Sequence, residues 1–299
     1  MSIRPDPLRC TPPRTHGVLG LRAPRGERWR APARVAPGRA ALATVGLLLA
    51  LTACSKAGAS DATFVASQSP SDGPVVVHLF GDSLTWESEG GLREQLGDDY
   101  DLRVTAFGGI GLCDLDDQIV ETAENGAADV ILVQLSGNAY TPCTYTEHGP
   151  PDEDERLARY RDDTSSLIDA VTGTDVPLII VGSPPMPEGH ARTPDDDYRR
   201  LVADAEERGL DVSYLDAGAA LEAPGGGWAG TLPCLPDESA AMGCADGQIP
   251  VRGGDEVHFC PGALGEADGT ITACDRWSSG AWRYASAMAA EVRGRFPGP

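Results

Sequence analysis

The chain has 299 residues, 41% of them hydrophobic and 23% charged, with 24 Lys plus Arg against 45 Asp plus Glu. This balance suits one globular domain with room for an insertion and excludes a disordered or repetitive chain. The formal charge of −21 argues against a surface built for nucleic acid or a polyphosphate.

The acidic excess is unevenly spread. Residues 1–39 hold nine arginines and many prolines, opposed only by Asp6 and Glu27. From Ala40 to Ala53 the chain is apolar, too short for a membrane span but suited to the core of an export signal. Leu51-Thr52-Ala53-Cys54 follows at once and resembles the lipobox of bacterial lipoprotein precursors. That resemblance implies cleavage before Cys54 and a lipid on its thiol; the alternative is an ordinary signal peptide cut a few residues later. The long basic front also fits a start codon placed too far upstream, with Val18 or Val35 as the true start. Removing residues 1–53 takes away nine basic and two acidic side chains, leaving 15 against 43, a charge of −28. Residues 54–73, rich in Ser, Ala, Gly and Asp, read as a tether.

The domain proper is expected over residues 74–299. Its first strand, Val75-Val76-Val77-His78-Leu79-Phe80, stops at Gly81, and Asp82-Ser83 leads into a helix over 84–96. Read alone, Ser83 is as well explained as a helix cap as it is as a nucleophile. A second strand covers 101–107 and runs into Gly108-Gly109-Ile110-Gly111, followed by a helix over 114–125. The third strand, 129–135, is almost continuously apolar, as in a parallel sheet covered on both faces, and ends at Ser136-Gly137-Asn138. A long helix over 152–172, a strand over 177–182, a helix over 194–209 and a strand over 211–216 follow. Five strands alternating with helices predict a three-layer α/β fold with right-handed crossovers. Residues 217–254 break the rhythm and read as an irregular insertion, and 279–293 close the domain as an amphipathic helix.

Six cysteines remain after Cys54: Cys113, Cys143, Cys234, Cys244, Cys260 and Cys274. In an exported domain they imply three disulfides, with fifteen connectivities open. Their spacing does not form a tight zinc knuckle, and no metal or cofactor is expected.

Of the histidines beyond residue 53, only His258 has an acidic residue at a useful spacing. In Asp255-Glu256-Val257-His258 one tight turn lets Asp255 accept the Nδ1 proton, leaving Nε2 to take a proton from a serine. His78 reads as a strand residue, and His148 and His190 lie in polar loops.

With this pair in view the chain resembles the SGNH hydrolases, also called GDSL esterases and lipases, from about Val75 to Val292. The nucleophile block is Gly81-Asp82-Ser83-Leu84. The glycine of the second block is matched by Gly111, although Ala106 stands where the family usually has Asn. Gly137-Asn138-Ala139 matches the third block, with Ala139 in place of an acidic residue, and Asp255 with His258 matches the last. The resemblance implies a flavodoxin-like α/β/α fold on a five-stranded parallel sheet. It also implies Ser83 as nucleophile, His258 as base oriented by Asp255, and an oxyanion site from Ser83, Gly111 and Asn138. Asp82 then belongs to the turn, not to the triad. Sequential disulfides, as in several secreted bacterial SGNH esterases, give Cys113–Cys143, Cys234–Cys244 and Cys260–Cys274.

The expected activity is hydrolysis of carboxylic esters, either short-chain acyl esters or O-acetyl groups on carbohydrate. A cell-envelope acyltransferase or a lipase would use the same residues, and a silent binding protein on this scaffold is the third class. The expected partner is a small-molecule or glycan ester, with Trp86, Tyr140 and Trp228 placed for its rim or for loop packing. Oligomeric state is not legible.

Overall fold

Alternation along the strands decides how the sheet is covered. In the computed structural model, which describes residues 73–238, 243–260 and 278–298, strand β1 spans Val75–Gly81. Val77 and Leu79 face one side, and Phe80 the other. β3 (Val130–Gln134) and β4 (Leu178–Val181) are buried throughout and divide their side chains in the same way. Val130, Leu132, Ile179 and Val181 join one cluster; Ile131, Val133, Leu178 and Ile180 join the other. With β2 (Tyr100–Ala106) and β5 (Val212–Leu215) they form a parallel sheet in the order β2-β1-β3-β4-β5. A period of two with both faces apolar demands a layer of helices on each side.

Helices α1 (Ser83–Leu96) and α5 (Ser279–Arg295) cover the first face, where Leu84, Leu92, Tyr284 and Met288 are buried. The other face carries α2 (Asp116–Glu124), α3 (Glu153–Val171) and α4 (Asp195–Glu207), through Ile119, Leu167, Ile168, Tyr198 and Val202. Their starts follow from the sequence. Asp152 caps α3 in a reciprocal box with Glu155, three aspartates occupy the first turn of α4, and Ser278 caps α5. The expected start of the second helix at Asp114 is corrected: residues Leu112–Asp114 form a 3-10 turn, because the Asp114 carboxylate turns back to accept the Gly111 N–H.

The insertion also departs from expectation. It holds a 3-10 turn at Ala217–Leu221 and an antiparallel pair, β6 (Thr231–Pro233) with β7 (Gln248–Pro250). Leu232 and Ile249 anchor that pair in the α1/α5 cluster. Arg283 of α5 reaches the buried Glu238 carboxylate at 2.6 Å, tying the insertion to the last helix.

Cys113 is bonded to Cys143 and Cys234 to Cys244, as expected. For closures of 30 and 10 residues, chain entropy places the contributions at about 3–4 and 2–3 kcal/mol respectively. Cys260 is also disulfide-bonded; its expected partner Cys274 lies outside the described residues. So do the expected export segment, Cys54 and the tether up to residue 72. No described helix is long and apolar enough to cross a membrane.

Candidate active site

The site begins where β1 can go no further. At Gly81 a Cβ would lie 2.0 Å from Thr85 Oγ1 and 2.5 Å from the Gln134 carbonyl oxygen, so only hydrogen fits. The chain turns directly into α1, whose first residue is Ser83. Asp82, not Ser83, is the cap: its Oδ1 accepts the Leu84 N–H at 3.0 Å. Its Oδ2 accepts three more donors, the Ser136 N–H at 2.7 Å, the Ser136 hydroxyl at 2.5 Å and Asn138 Nδ2 at 3.1 Å. Asp82 is fully buried, and burial raises its pKa against the pull of the Ser136 and Leu84 hydrogen bonds. This carboxylate joins the turn after β1 to the turn after β3.

His258 comes from the other end of the chain. Its Nε2 lies 2.7 Å from Ser83 Oγ and its Nδ1 lies 2.6 Å from Asp255 Oδ2. Asp255 Oδ1 accepts the backbone N–H groups of Val257 (3.1 Å) and His258 (3.0 Å), which closes the turn the spacing predicts. Glu256 completes it with a φ of 67°, a left-handed conformation that a non-glycine residue adopts at a cost. Its carbonyl is held by the Trp228 indole N–H at 2.8 Å. Burial alone raises the Asp255 pKa, but the His258 ring and backbone hydrogen bonds and the imidazole charge outweigh it and hold the carboxyl below its ordinary value.

The expected oxyanion residues arrive from neighbouring strands. Gly81 pairs with Ala106 on one side and Gln134 on the other, so the loops bearing Gly111 and Asn138 leave the sheet at the level of Ser83. Asn138 is fixed at both ends: Nδ2 on Asp82, and its carbonyl on the Tyr160 hydroxyl at 2.9 Å. Arg156 holds the Gly137 carbonyl at 2.7 Å, which supports the turn despite Ala139. Gly111 lies beside Asn138, yet its N–H is donated to Asp114 Oδ2 at 3.0 Å. The expectation of an open Gly111 donor is therefore not met in this arrangement. Asp114 is in turn held by the Thr141 hydroxyl at 2.6 Å, next to the Cys113–Cys143 bridge.

Several residues at the site were not singled out by sequence. Ser136 supplies two of the donors to Asp82. Glu87, one helical turn after Ser83, is buried and accepts the Phe259 N–H at 2.6 Å. Arg252 is buried with its guanidinium 5.4 Å from the Phe259 ring centroid. The one signal for Glu87 was its position four residues from Ser83, which puts both on one helical face.

The other histidines have different surroundings. His78 stacks on Phe80 and meets the Thr105 hydroxyl at 3.1 Å; burial, then the Arg103 charge, lowers its pKa to about 4. His148 pairs with Glu147 on the surface. Of the rim aromatics, Tyr140 is 76% exposed, while Trp86 and Trp228 are half-buried. A cleft of about 630 Å³ beside Ser183, Pro185, His190 and Asp195 includes none of Ser83, Asp255 and His258 in its lining. Among the described residues, Cys113, Asp114 and Cys143 bring potential ligand atoms within 4.8 Å, but both sulfurs are in the disulfide and offer no thiolate.

No protein-family model matches the sequence, and no curated protein matches it. Among solved structures, the chain is similar to the lipase/acylhydrolase from Enterococcus faecalis, at 14% identity over 74% of this chain and 96% of that one, with a TM-score of 0.43. It is also similar to a carbohydrate acetylesterase from Sinorhizobium meliloti, at 14% identity over 74% and 100% of the two chains and a TM-score of 0.41. A family 3 carbohydrate esterase from Clostridium thermocellum gives 12% identity, 74% and 96% coverage and a TM-score of 0.44.

Proposed function

We propose that the protein is a serine esterase of the SGNH type, hydrolysing carboxylic esters through an acyl-enzyme on Ser83. The observation that carries this reading is the hydrogen-bonded line from Asp255 through His258 to Ser83, at 2.6 and 2.7 Å. Ser83 Oγ attacks the ester carbonyl as His258 Nε2 takes its proton, and Asp255 stabilises the imidazolium. The oxyanion forms against the Ser83 N–H, which lies in the first turn of α1 where backbone donors lack helical partners, and against the second Nδ2 hydrogen of Asn138. The Gly111 N–H, held by Asp114 Oδ2 at 3.0 Å, is not among these donors. His258 then protonates the leaving alcohol, activates water, and the acid departs with Ser83 restored.

The substrate class is a short-chain acyl ester or an O-acetyl ester on carbohydrate. On the same reading, residues 74–299 are one hydrolase domain delivered outside the cytoplasm, with Cys54 as its lipid-bearing N-terminus. The arginine-rich front, the apolar run and the lipobox-like end support this, and the disulfides agree with an oxidising compartment.

The test is a panel of aryl esters of increasing chain length and acetylated glycans, with wild type and Ser83→Ala side by side. The variant should fold normally and lose at least about 1000-fold in turnover. A folded variant with wild-type turnover would put the nucleophile elsewhere.

A further inference from the structure

We propose that Glu87 is a positioning residue that sets His258 against Ser83, by clamping the peptide that follows the histidine to the helix that carries the serine. This inference rests on the triad reading above and adds to it a group outside the triad.

Ser83 and Glu87 are four residues apart on α1 and therefore share a face. One end of that face makes the 2.7 Å contact with His258 Nε2. At the other end, Glu87 Oε2 accepts the Phe259 N–H at 2.6 Å. The His258 carbonyl, on the same peptide unit as the Phe259 N–H, accepts the Gly253 N–H at 2.5 Å. The unit next to the imidazole is thus pinned from both sides, and one of the pins is α1. Ser83 and His258, 175 positions apart, are referred to a single rigid element.

A purely structural role explains Glu87 poorly. It is 6% exposed, and its second oxygen, Oε1, has no hydrogen-bond partner. A buried carboxylate with an unsatisfied oxygen costs stability that a leucine or methionine at this helical position would not. Burial drives its pKa up to about 7. What the carboxylate supplies and an apolar side chain cannot is an acceptor aimed at the backbone beside the base. Phe259 is held from its other side as well: its buried ring packs on Tyr284, with centroids 5.4 Å apart, and lies against the Arg252 guanidinium.

The test uses the full chain with Glu87→Ala, Glu87→Gln and Glu87→Asp. It reads three quantities: the rate at which diethyl 4-nitrophenyl phosphate phosphorylates Ser83 and releases 4-nitrophenolate, the low-field NMR resonance of the His258 Nδ1 proton, and the thermal midpoint. Glu87→Ala should react about 10- to 100-fold more slowly and shift the resonance, because small displacements of a general base are costly. With an ester substrate the loss should fall on kcat and leave KM nearly unchanged. Glu87→Gln keeps an acceptor at the same reach and should stay within about fivefold of wild type. Glu87→Asp withdraws the acceptor by one methylene and should behave like Glu87→Ala. A folded Glu87→Ala with wild-type rate and an unmoved resonance overturns the proposal, as does a folded Glu87→Gln that loses as much as Glu87→Ala. If Glu87→Ala does not fold, a folded Glu87→Asp at wild-type rate has the same force. Failure of the wild type itself to react at Ser83 would refute the nucleophile assignment instead. The resonance, which needs no nucleophile, would still decide whether Glu87 places His258.

Discussion

Replacing Asp82 with Asn changes one atom and tests the architecture under the nucleophile turn. The carboxylate takes four donors: Leu84 N–H on Oδ1, and the Ser136 N–H, the Ser136 hydroxyl and Asn138 Nδ2 on Oδ2. An amide has one acceptor oxygen, so one side must face an N–H with an NH2. The less costly orientation keeps oxygen toward Ser136 and Asn138 and gives up the helix cap, at about 1 kcal/mol. The three remaining bonds lose their charge assistance, about half their strength, or roughly 1 kcal/mol each. Against this stands relief from holding a charge in a fully buried position, the cause that raises the Asp82 pKa. The net expectation is a loss of about 2–3 kcal/mol, read as a shift of the urea midpoint at unchanged slope. Because the bond that orients Asn138 loses its charge assistance and the helix that begins at Ser83 loses its cap, kcat for ester hydrolysis should fall by up to about tenfold with the fold intact. A loss below about 1 kcal/mol with unchanged kcat would mean that the four contacts carry neither stability nor the orientation of Asn138.

Acid should reveal His78. Its folded pKa, about 4, lies below the ordinary 6.5, so the unfolded chain binds the proton first; stability is intact above pH 6.5 and drains away as the pH falls toward 4. His78→Gln should flatten that acid-side loss in a series of thermal midpoints, and an unchanged slope would exclude His78 as its source. Glu87, with its pKa raised to about 7, acts in the opposite sense over the overlapping range, so only the difference between variant and wild type isolates His78. Intact-mass analysis and non-reducing peptide mapping of protein made in a bacterial host should find a lipid-bearing Cys54 at the N-terminus and a Cys260–Cys274 peptide. An N-terminus elsewhere without lipid would remove the anchor, and Cys260 joined to another cysteine would break the sequential pairing.

How much of this was legible depended on whether the information was local. The inner strands β1, β3 and β4 were readable as short apolar runs closed by a glycine or polar turn, and the edge strand β2 by the alternation of Leu102 and Val104 with Asp101, Arg103 and Thr105. β6 and β7 were not readable: three residues each, with Pro233 and Pro250 inside them, give no period to detect. Their strand character comes from Leu232 and Ile249 entering a core built by other elements. The end of the second loop failed for a similar reason. Asp114 looked like the first residue of a helix, but its carboxylate bonds back to Gly111 and across to Thr141, 27 positions away.

The triad spacing was legible because Asp255 and His258 fold onto each other within one turn and Ser83 lies at a strand end. The support beneath it was not, since Asp82 meets Ser136 54 positions away and Glu87 meets Phe259 172 positions away. These long-range carboxylates share a physical logic. Each is buried, each has its pKa raised chiefly by burial, and each spends that cost on backbone N–H groups in the loops that carry Asn138 and His258. The loop after β3 and the segment after β7 that carry these residues lie beyond the ends of their strands, so their geometry must be imposed by side chains from a rigid neighbour. Helix α1 is that neighbour: Asp82 at its cap fixes the loop after β3, Ser83 at its first position faces the imidazole, and Glu87 a turn later holds the peptide behind it. A site assembled in this way should lose its geometry when α1 is perturbed, even where every triad residue is intact.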